Sequence, residues 1–382
     1  MAKAGPLTED LVIRDAIHGD ITFESGMLAV LDSPAMQRLR YVRQLGTTYL
    51  TFPSAHHSRY EHSLGTYYLT KEICQRIMGD SEESRHVMLA GLLHDVGHSA
   101  FSHLSEPIVE KYTGKSHEEL GVERVREGKL AEAVERGGYS VRKLCDILSE
   151  KNKLGAVIWG DLGTDRMDYL LRDSYFCGVY FSGIDAQRLI KVMRISDEGL
   201  VIPHKDVSAV AESLLVSRHL MRTSIYTHHS VRIAQEMLRK SLSISIENGN
   251  LGVPELLNGA DDHLLFSLAN KGDALAKRVV NRKLFKRSYE TEHVEGIKKM
   301  LPELSERLCE EVGEENFTVS VPELASKGIS FKIQYRGKIR NLVEYSTLAR
   351  ALSQVNSHET ILVATDRKSR DKARKVCHKV LE

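Results

Sequence analysis

The stretch Gly91 to His103, GLLHDVGHSAFSH, places three histidines and an aspartate directly after an apolar run. That run, Val87 to Leu93 (VMLAGLL), is apolar on every side, which predicts a buried helix rather than an amphipathic one. His94 and Asp95 would then end a buried helix. A buried carboxylate costs roughly several kcal/mol or more unless it is paired, protonated or bound to a metal. A divalent cation would remove this cost for Asp95 and would also occupy a nitrogen of His94.

Two further candidate ligands lie elsewhere in the chain. His62 stands in SRYEHSLGTYYL, and Asp165 stands in GDLGTDRMDYLLRDS. Two imidazoles and two carboxylates suit manganese, iron, zinc or nickel, and they leave coordination positions for water and a substrate oxygen. A lone histidine is more often a hydrogen-bonded core residue, and this alternative applies to His62 taken by itself. The combination of the four residues favours a metal site.

The same histidines allow a second interpretation. The residues His94 to His98, HDVGH, look like the HExxH motif of a metalloprotease with aspartate in place of glutamate. Glycine in a helix interior costs about 1 kcal/mol relative to alanine, so Gly97 indicates that the helix ends before His98. The two histidines would then not share one helix face, which disfavours a protease.

Several polar residues follow Asp165 at the spacing of helical turns. Asp165, Tyr169 and Asp173 fall at i, i+4 and i+8, so one face of a single helix would carry all three. Asp168 and Arg172 are also four residues apart but lie on a neighbouring stripe. They are predicted to form an ion pair on the helix surface.

The elements that must position these residues are mainly helical. Apolar residues recur at intervals of three and four from Pro34 to Arg287, which predicts a helical domain, and RISDEGLVIP, Arg194 to Pro203, predicts a short hairpin within it. FTVSVPEL, ISFKIQY and ETILVATD are β-branched or alternating, and a basic helix-like tail follows from Arg367 to Leu381. We therefore expect an all-helical core over residues 1–293 and a small α/β region over residues 294–382.

Composition and charge limit the classes of function. The chain has 382 residues, 42% hydrophobic and 27% charged, and its net charge of +1 gives no argument for nucleic acid or an anionic membrane surface. The five cysteines have no CxxC spacing and an odd count, which fits a reducing cytosol and core positions. The N-terminal sequence has no apolar segment, and no window approaches the roughly 18 apolar residues of a spanning helix. We expect a cytoplasmic protein whose partners are recognised at particular sites.

Five blocks of the sequence resemble the HD-domain phosphohydrolases, whose pattern is H…HD…D on separate helices of an all-α fold. The blocks are QRLRYVRQLG, FPSAHHSRYEHSLG, HDVGHSAFSH, DRMDYLLRD and RHLMRTSIYTHH. They occur in the order of the family and cover about the first 240 residues. The resemblance is closer to one branch, the deoxynucleoside triphosphate (dNTP) triphosphohydrolases, which include bacterial dGTPases and the animal sterile-alpha-motif and HD-domain enzyme.

The resemblance implies a role for each matching residue. The implied metal ligands are His62, His94, Asp95 and Asp165. The implied catalytic residues are His98, His103, His117 and Glu118. The implied substrate contacts are Gln44, Leu45, Arg59, Arg166, Tyr169, Asp173, Arg218 and Tyr226. Core hydrogen bonds or helix caps are the alternative for His98 and His103, and an ordinary helix start is the alternative for His117 with Glu118.

The resemblance also implies a second site. Asp32, Gln37 and Arg40 match residues that read an activating guanine nucleotide in the animal enzyme, although the stretch around Asp32 is equally typical of a helix cap. Such a nucleotide would lie between subunits, so the resemblance implies a homo-oligomer. Two departures from the animal enzyme, Thr227 beside the sugar and Arg14 in the activator site, leave the preferred sugar, base and activator open.

The function that the resemblance implies is metal-dependent hydrolysis of a dNTP to deoxynucleoside and inorganic triphosphate, with magnesium accompanying the triphosphate. The metal would lower the pKa of water to roughly 7 and withdraw charge from a phosphoryl oxygen, so that attack falls on the α-phosphorus. The alternatives are an HD hydrolase acting on GTP, a nucleoside monophosphate or a cyclic dinucleotide, or a nucleotide sensor without catalysis. Arg59, Arg166 and Arg218 favour a polyphosphate, and a sensor would be favoured if a metal ligand were missing.

Overall fold

The computed structural model describes residues 11–149, 152–292, 297–321, 331–355 and 360–381, and this part of the chain is mainly helical, as expected. The α-helices are α1 (Leu28–Leu31), α2 (Pro34–Arg38), α3 (Arg59–Ile77), α4 (Glu82–Leu93), α5 (Glu106–Thr113), α6 (His117–Arg126), α7 (Gly128–Arg136), α8 (Val141–Leu148), α9 (Thr164–Cys177), α10 (Ala186–Val192), α11 (Glu212–Met221), α12 (His229–Glu247), α13 (Val253–Asn258), α14 (Asp261–Asn270), α15 (Ala274–Val280), α16 (Ile297–Val312), α17 (Thr347–Val355) and α18 (Arg370–Leu381). π-helical turns at Val207–Ala211 and Arg222–Tyr226 extend α11 at both ends.

Short strands form three small sheets among the described residues. The strands are β1 (Leu11–Asp15), β2 (Gly19–Phe23), β3 (Arg194–Ser196), β4 (Gly199–Pro203), β5 (Lys286–Glu292), β6 (Phe317–Ser320), β7 (Lys332–Tyr335), β8 (Lys338–Asn341) and β9 (Thr360–Thr365). The sheet orders are β1-β2, β3-β4-β7-β8 and β5-β9-β6. The predicted hairpin is confirmed as β3 and β4. The hairpin formed by β1 and β2 was not predicted from the sequence.

Two of these sheets join the helical region to the C-terminal region. β4 pairs in parallel with β7, and β5 pairs antiparallel with β9, so that Lys286 lies opposite Thr365. Both pairings cross the expected division between residues 293 and 294, and the division itself stays a prediction. The first half of FTVSVPEL forms β6 and most of ETILVATD forms β9, while residues 322–330 and 356–359 lie outside the described residues.

Helices α4 and α9 both pack against α3, and the predicted metal ligands lie in α3, in α9 and directly after α4. The carboxylate of Glu61 accepts a hydrogen bond from the backbone N–H of Ser58, which closes the first turn of α3. Helix α4 ends at Leu93, as its apolar run predicted. A side chain at Gly65 of α3 would place its Cβ 1.8 Å from Oδ1 of Asp168, so glycine is required for α9 to approach α3 this closely.

The described buried side chains form three clusters. The first surrounds α3, α4 and α9 and includes Phe331, Ile333 and Leu342 from the C-terminal region. The second packs α12, α14 and α15 together, and the third packs α16 and α18 against β5, β6 and β9. Cys309 is exposed, while the other four cysteines are buried, as expected of core residues. None of the described helices is long and apolar enough to cross a membrane.

Candidate active site

The four predicted metal ligands converge at one point. Nε2 of His62 lies 2.9 Å from Oδ1 of Asp165, 3.2 Å from Nε2 of His94 and 3.7 Å from Oδ2 of Asp95. Nε2 of His94 lies 3.3 Å from Oδ1 of Asp95 and 3.6 Å from Oδ1 of Asp165. His62 comes from α3, Asp165 from the first turn of α9, and the other two follow α4 directly. The structure therefore assembles a donor set that the chain spreads over about a hundred residues.

In His62 and His94 the Nε2 atoms face the other candidate ligands, and the Nδ1 atoms make hydrogen bonds to the surrounding protein. Nδ1 of His94 donates to the carbonyl oxygen of Gly91 at 2.9 Å. In the neutral ring, Nε2 then carries the lone pair that can bind a cation. Nδ1 of His62 lies 2.7 Å from a carboxylate oxygen of Asp168. Burial lowers the pKa of His62, yet its hydrogen bonds to Asp165 and Asp168 outweigh burial and raise that pKa to about 10. The carboxylates around His62 thus attract positive charge, and imidazole nitrogens together with carboxylate oxygens are a donor set that divalent metals accept.

Asp168 and Arg172 are buried, so the prediction of a surface ion pair is wrong. Arg172 donates to both carboxylate oxygens of Asp168, at 2.9 and 3.0 Å, and to both oxygens of Asp15, at 2.8 and 3.2 Å. Nε2 of His18 lies 2.7 Å from Asp168 as well. The stripe of α9 that carries this pair faces α3 and the β1–β2 hairpin rather than solvent. The contact between Asp168 and Nδ1 of His62 is the arrangement typical of histidines that bind metals, which normally donate their second N–H to a carboxylate or carbonyl.

The predicted catalytic histidines also come together. The rings of His98 and His117 are stacked, with centroids 3.9 Å apart and an interplanar angle of 15°, and the ring of His103 approaches His98 edge-on at 4.8 Å. Glu106, which the sequence analysis missed, accepts a hydrogen bond from Nδ1 of His117, and it lies 2.7 Å from Nδ1 of His103. Glu118 lies 3.3 Å from Nε2 of His117. In the sequence, Glu106 stands three residues after His103 and directly before a proline that is typical of a helix start. This spacing could have indicated Glu106 as a partner of His103.

The two stacked rings differ in their protonation. Burial, with Arg59 nearby, holds the pKa of His98 well below its ordinary value. Burial also lowers the pKa of His117, but the hydrogen bond to Glu106 outweighs it, and the net pKa is raised. At neutral pH the pair therefore combines a neutral imidazole with a neighbour that favours its protonated form. Such a pair can supply a proton donor beside an acceptor.

A cavity of about 320 Å³ lies next to the candidate metal ligands, because Arg59 in its wall contacts Asp95. Its lining residues are Gln44, Leu45, Gly46, Thr48, Arg59, Phe101, Ser102, His103, Leu104, Tyr169, Asp173, Tyr226 and Gln235. Seven of the predicted site residues are among them. Arg166 and Arg218 lie outside this lining, although Nε of Arg166 donates to the hydroxyl of Tyr169 at 3.2 Å.

Asp173 accepts two hydrogen bonds at one end of this cavity. The hydroxyl of Tyr226 donates to Oδ2 of Asp173 at 2.7 Å, and Nε2 of His57 lies 2.7 Å from Oδ1. Burial, followed by the nearby charge of Asp173, raises the pKa of Tyr226 well above its ordinary value. His57 stacks on Phe176 at 4.8 Å and was missed as a site residue, although it stands in the block FPSAHHSRYEHSLG. These contacts fix the Asp173 carboxylate in a polar corner suited to hydroxyl groups.

The three predicted phosphate-binding arginines have protein partners. Arg59 is buried, and it donates to Ser102 at 2.9 Å and to Asp95 at 2.8 Å. Asp161, another residue that the sequence analysis missed, accepts from Nη1 of both Arg166 and Arg218, the latter at 3.1 Å. One carboxylate thus offsets part of the charge of two arginines and holds them side by side.

The residues predicted to bind an activating nucleotide lie near one another on the surface. Gln37 donates to the carbonyl of Leu31 at 2.8 Å and accepts from Nε of Arg40 at 2.9 Å. The guanidinium of Arg40 lies 3.7 Å from the ring centroid of Tyr60. Asp32 is exposed and precedes Ser33, which caps α2. A nucleotide at this surface stays a prediction.

Sequence comparisons place the chain among proteins of one family. The HD domain pattern matches residues 59–170, and the HD associated region matches residues 184–382. An uncharacterized protein of Methanocaldococcus jannaschii is 36% identical over 72% of this chain and 58% of that protein. The deoxynucleoside triphosphate triphosphohydrolase SAMHD1 homolog of Dictyostelium discoideum is 26% identical over 72% of this chain and 59% of that protein. The chain thus spans less than two thirds of these relatives.

Solved structures agree with the sequence comparisons. A hypothetical protein from Aquifex aeolicus is 31% identical, with a TM-score of 0.81 over 96% of this chain and 100% of that one. A phosphohydrolase from Bacteroides thetaiotaomicron has the same fold, with a TM-score of 0.77 and 24% identity over 94% of this chain and 100% of that one. The HD associated region alone covers about half of the chain. Together with the converging ligands, these matches show that the chain belongs to the HD-domain phosphohydrolase family and carries both the HD domain and the HD associated region.

Proposed function

We propose that the protein is a metal-dependent triphosphohydrolase, which converts a dNTP to a deoxynucleoside and inorganic triphosphate. The observation that carries this proposal is the position of Arg59. Its side chain lines the cavity that also holds Asp173 and Tyr226, and its Nη1 lies 2.8 Å from the candidate metal ligand Asp95. Groups suited to a sugar and groups suited to a phosphate therefore meet in one cavity beside the metal ligands.

His62, His94, Asp95 and Asp165 are the residues that would hold a divalent cation. Manganese, iron, zinc and nickel all accept this mixture of nitrogen and oxygen ligands, and magnesium would accompany the triphosphate. When bound, such a cation polarises water and a phosphoryl oxygen. HD domains bind a divalent metal, and the assignment is supported by the cluster of His62, His94 and Asp95, with Asp165 lying 2.9 Å from His62.

The chain's own residues would stabilise the charge that develops on the phosphates. Arg59 is held by Asp95 and Ser102, so its guanidinium needs little reorganisation to meet a phosphate oxygen. His103 has its Nδ1 bound to Glu106, which leaves Nε2 for a phosphate oxygen at the cavity wall. His117 retains its proton through Glu106 and would donate it to the departing 5′-oxygen.

The other end of the cavity supports selection of a deoxyribose. Asp173 is fixed by Tyr226 and His57, so its carboxylate can accept a hydrogen bond from a sugar hydroxyl. Gln44 and Leu45 line the same cavity, so a 2′-hydroxyl placed against them would be crowded and ribonucleotides would be disfavoured.

A product assay tests this function. Metal-analysed protein would be incubated with each of the four dNTPs and with GTP, with and without a second nucleotide, and the products would be separated. We expect deoxynucleoside with intact triphosphate, and stimulation by the second nucleotide would support the activator site at Arg40. Release of pyrophosphate or phosphate, or no turnover by metal-loaded protein, would contradict the proposal.

A pair of variants assigns the reaction to this site. Asp165→Ala should abolish both turnover and metal binding while the helical circular dichroism spectrum is retained. Asp197→Ala is the matched control, because this carboxylate is fully exposed at the turn of the β3–β4 hairpin. Retention of metal and turnover by Asp165→Ala would remove the metal assignment.

A further inference from the structure

The loop that carries the predicted catalytic histidine His103 has an unusual backbone. Phe101 and Ser102 are consecutive non-glycine residues with φ values of 65° and 53°, in the left-handed region. L-residues with side chains rarely adopt this conformation, and they keep it only where surrounding contacts hold them. Some neighbouring group must therefore stabilise the loop from Ser99 to His103, here named the histidine loop.

Asp261, the first residue of α14, makes the contacts that could do this. Its side chain is buried, and the whole residue is only 1% exposed. Oδ1 accepts a hydrogen bond from the backbone N–H of Phe101 at 2.7 Å, and Oδ2 accepts one from the backbone N–H of Arg43 at 2.9 Å. Burial raises the pKa of Asp261 to about 6, so the group is ionised at neutral pH and both oxygens can accept. Hydrogen bonds to an ionised acceptor are stronger than those between neutral groups.

The two backbone groups bound by Asp261 belong to two different segments that line the cavity. Phe101 is two residues before His103, and Arg43 directly precedes Gln44. The same two segments are joined again by the hydroxyl of Ser102, which donates to the carbonyl of Arg43 at 3.0 Å. Asp261 therefore lies where a single carboxylate can set the distance between the histidine loop and the wall formed by Gln44 and Leu45.

A second contact from the same region holds the histidine loop. The backbone N–H of Ala100 donates to the carbonyl of Leu256, at the end of α13, at 3.0 Å. Leu256 and Asp261 lie in the stretch matched by the HD associated region, whereas the histidine loop lies in the stretch matched by the HD domain. The associated region thus contributes hydrogen bonds to a loop of the other region.

We propose that Asp261 is a positioning residue of the active site, whose carboxylate holds the histidine loop and the Gln44 wall at the spacing that the substrate needs. This inference rests on the proposed function for its catalytic consequence. The hydrogen bonds of Asp261 to the backbone of Phe101 and Arg43 do not depend on the proposed function, because they are present whatever the substrate is. Asp261 itself does not line the cavity and acts through Phe101 and Arg43.

Asp261→Asn is the informative variant. Asparagine keeps the size of the side chain but offers one oxygen and one NH2 group, so one of the two backbone N–H groups would face a donor and lose its bond. Asp262→Asn is the matched control on the same helical turn, because Asp262 is largely exposed and contacts the side chain of Arg43 rather than its backbone. Metal content is measured on both variants.

Amide hydrogen exchange measures the proposed contacts directly. In the wild-type protein the amides of Phe101 and Arg43 should be protected, and unprotected amides at these two positions would overturn the proposal even if the variant did not fold. In Asp261→Asn at least one of the two amides should exchange at least tenfold faster, with Asp262→Asn unchanged. Equal exchange in Asp261→Asn and wild type, or equal acceleration in both variants, would also overturn it.

Activity separates this inference from the proposed function. If the wild type hydrolyses a dNTP, kcat/KM of Asp261→Asn should fall at least tenfold with unchanged metal content, and an unchanged kcat/KM would refute the positioning role. If the wild type does not release triphosphate from any dNTP, the proposed function is wrong. The amide exchange rates would still show whether Asp261 holds the histidine loop and the Gln44 wall.

Discussion

Asp168 links the candidate metal ligand His62 to the N-terminal hairpin. Its carboxylate is shared by Nδ1 of His62, Nε2 of His18 and the guanidinium of Arg172, with Asp15 completing the network. An isolated charge at this depth would be costly, and each charge here has a partner of opposite sign. The ring of His62 is therefore held at Nδ1 by a network that lies outside the set of candidate metal ligands.

Replacing Asp168 by asparagine tests this role. Asp168→Asn keeps the shape but removes the charge that orients the ring of His62, so metal affinity should fall by roughly 10–100-fold. Competition with a chelator of known affinity measures the change, and Asp197→Asn on the exposed hairpin is the control. An affinity loss no greater than that of the control would show that Asp168 serves only the stability of the fold.

The ion pair of His117 and Glu106 predicts a pH dependence. Burial opposes the charge on Glu106, yet hydrogen bonds from His103 and His117 hold its pKa below the ordinary 4.5, while the pKa of His117 is raised above 6.5. The stabilisation from Glu106 is present above pH 4.5 and is lost as pH falls through its lowered pKa. The stabilisation from His117 is present below pH 6.5 and is lost as pH rises through its raised pKa.

Glu106→Gln should therefore lower the pKa of His117. The amide cannot supply the negative charge that favours the imidazolium form, so the alkaline limb of the activity profile should move to lower pH. Nuclear magnetic resonance titration of the His117 ring measures the pKa, and Glu110→Gln, exposed on the same helix, is the control. A His117 pKa that is equal in both variants would contradict the assigned proton donor.

At the scale of elements, the turn after α4 and the start of α6 are in close contact. A Cβ atom at Gly97 would lie 1.9 Å from the carbonyl oxygen of His117 and 2.3 Å from the backbone nitrogen of Gly121. Backbone atoms cannot move aside as a flexible side chain can, so any larger residue must push α6 outward. Helix α4 ends at Leu93, before His98 as predicted, and Gly97 permits the close approach at which His98 stacks on His117.

Gly97→Ala should separate these two elements. Overpacking of this kind costs about 1–3 kcal/mol, and the displaced α6 should carry His117 away from His98, so that turnover falls more than metal binding does. Denaturant unfolding and metal titration measure the two effects. Gly183→Ala is the control, because a Cβ there meets no atom within 4 Å and its φ is not positive. Equal behaviour of the two variants would mean that α6 tolerates the shift.

At the scale of the whole molecule, Arg232 of α12 ties the helical region to the C-terminal sheet. Its guanidinium donates to the hydroxyl and carbonyl of Ser320, at 3.1 and 2.9 Å. It also donates to the hydroxyl and carbonyl of Thr360, at 2.8 and 2.7 Å. These residues lie at the end of β6 and the start of β9. One side chain therefore satisfies backbone groups of two strands that are 40 positions apart in the chain.

Arg232→Ala should lower the free energy of unfolding by roughly 2–4 kcal/mol, because it leaves buried acceptors of β6 and partly buried acceptors of β9 without a donor. Unfolding followed by circular dichroism measures the loss. Arg142→Ala, at an exposed position of α8, should change stability by less than about 0.5 kcal/mol. A similarly small effect of Arg232→Ala would show that water replaces the lost hydrogen bonds.

The sequence by itself determined the elements and residue types that local rules control. The apolar run before His94 required a buried helix that ends there, and the turn residues after Arg194 required a hairpin, because both patterns depend on neighbours within a few positions. The ordered blocks likewise indicated His62, Asp95 and Asp165 through residue type and order along the chain. In the folded chain these side chains lie within a few ångströms of His62 or His94.

Only the tertiary structure decided which faces are buried and which distant groups meet. Helical spacing placed Asp168 and Arg172 on one stripe but could not say that a hairpin from the N-terminal region covers that stripe. Glu106, Asp161 and Asp261 gained their partners in the same way. The physical reason is that the free energy of a buried charge depends on its neighbours in space, and these neighbours come from segments that local patterns cannot place.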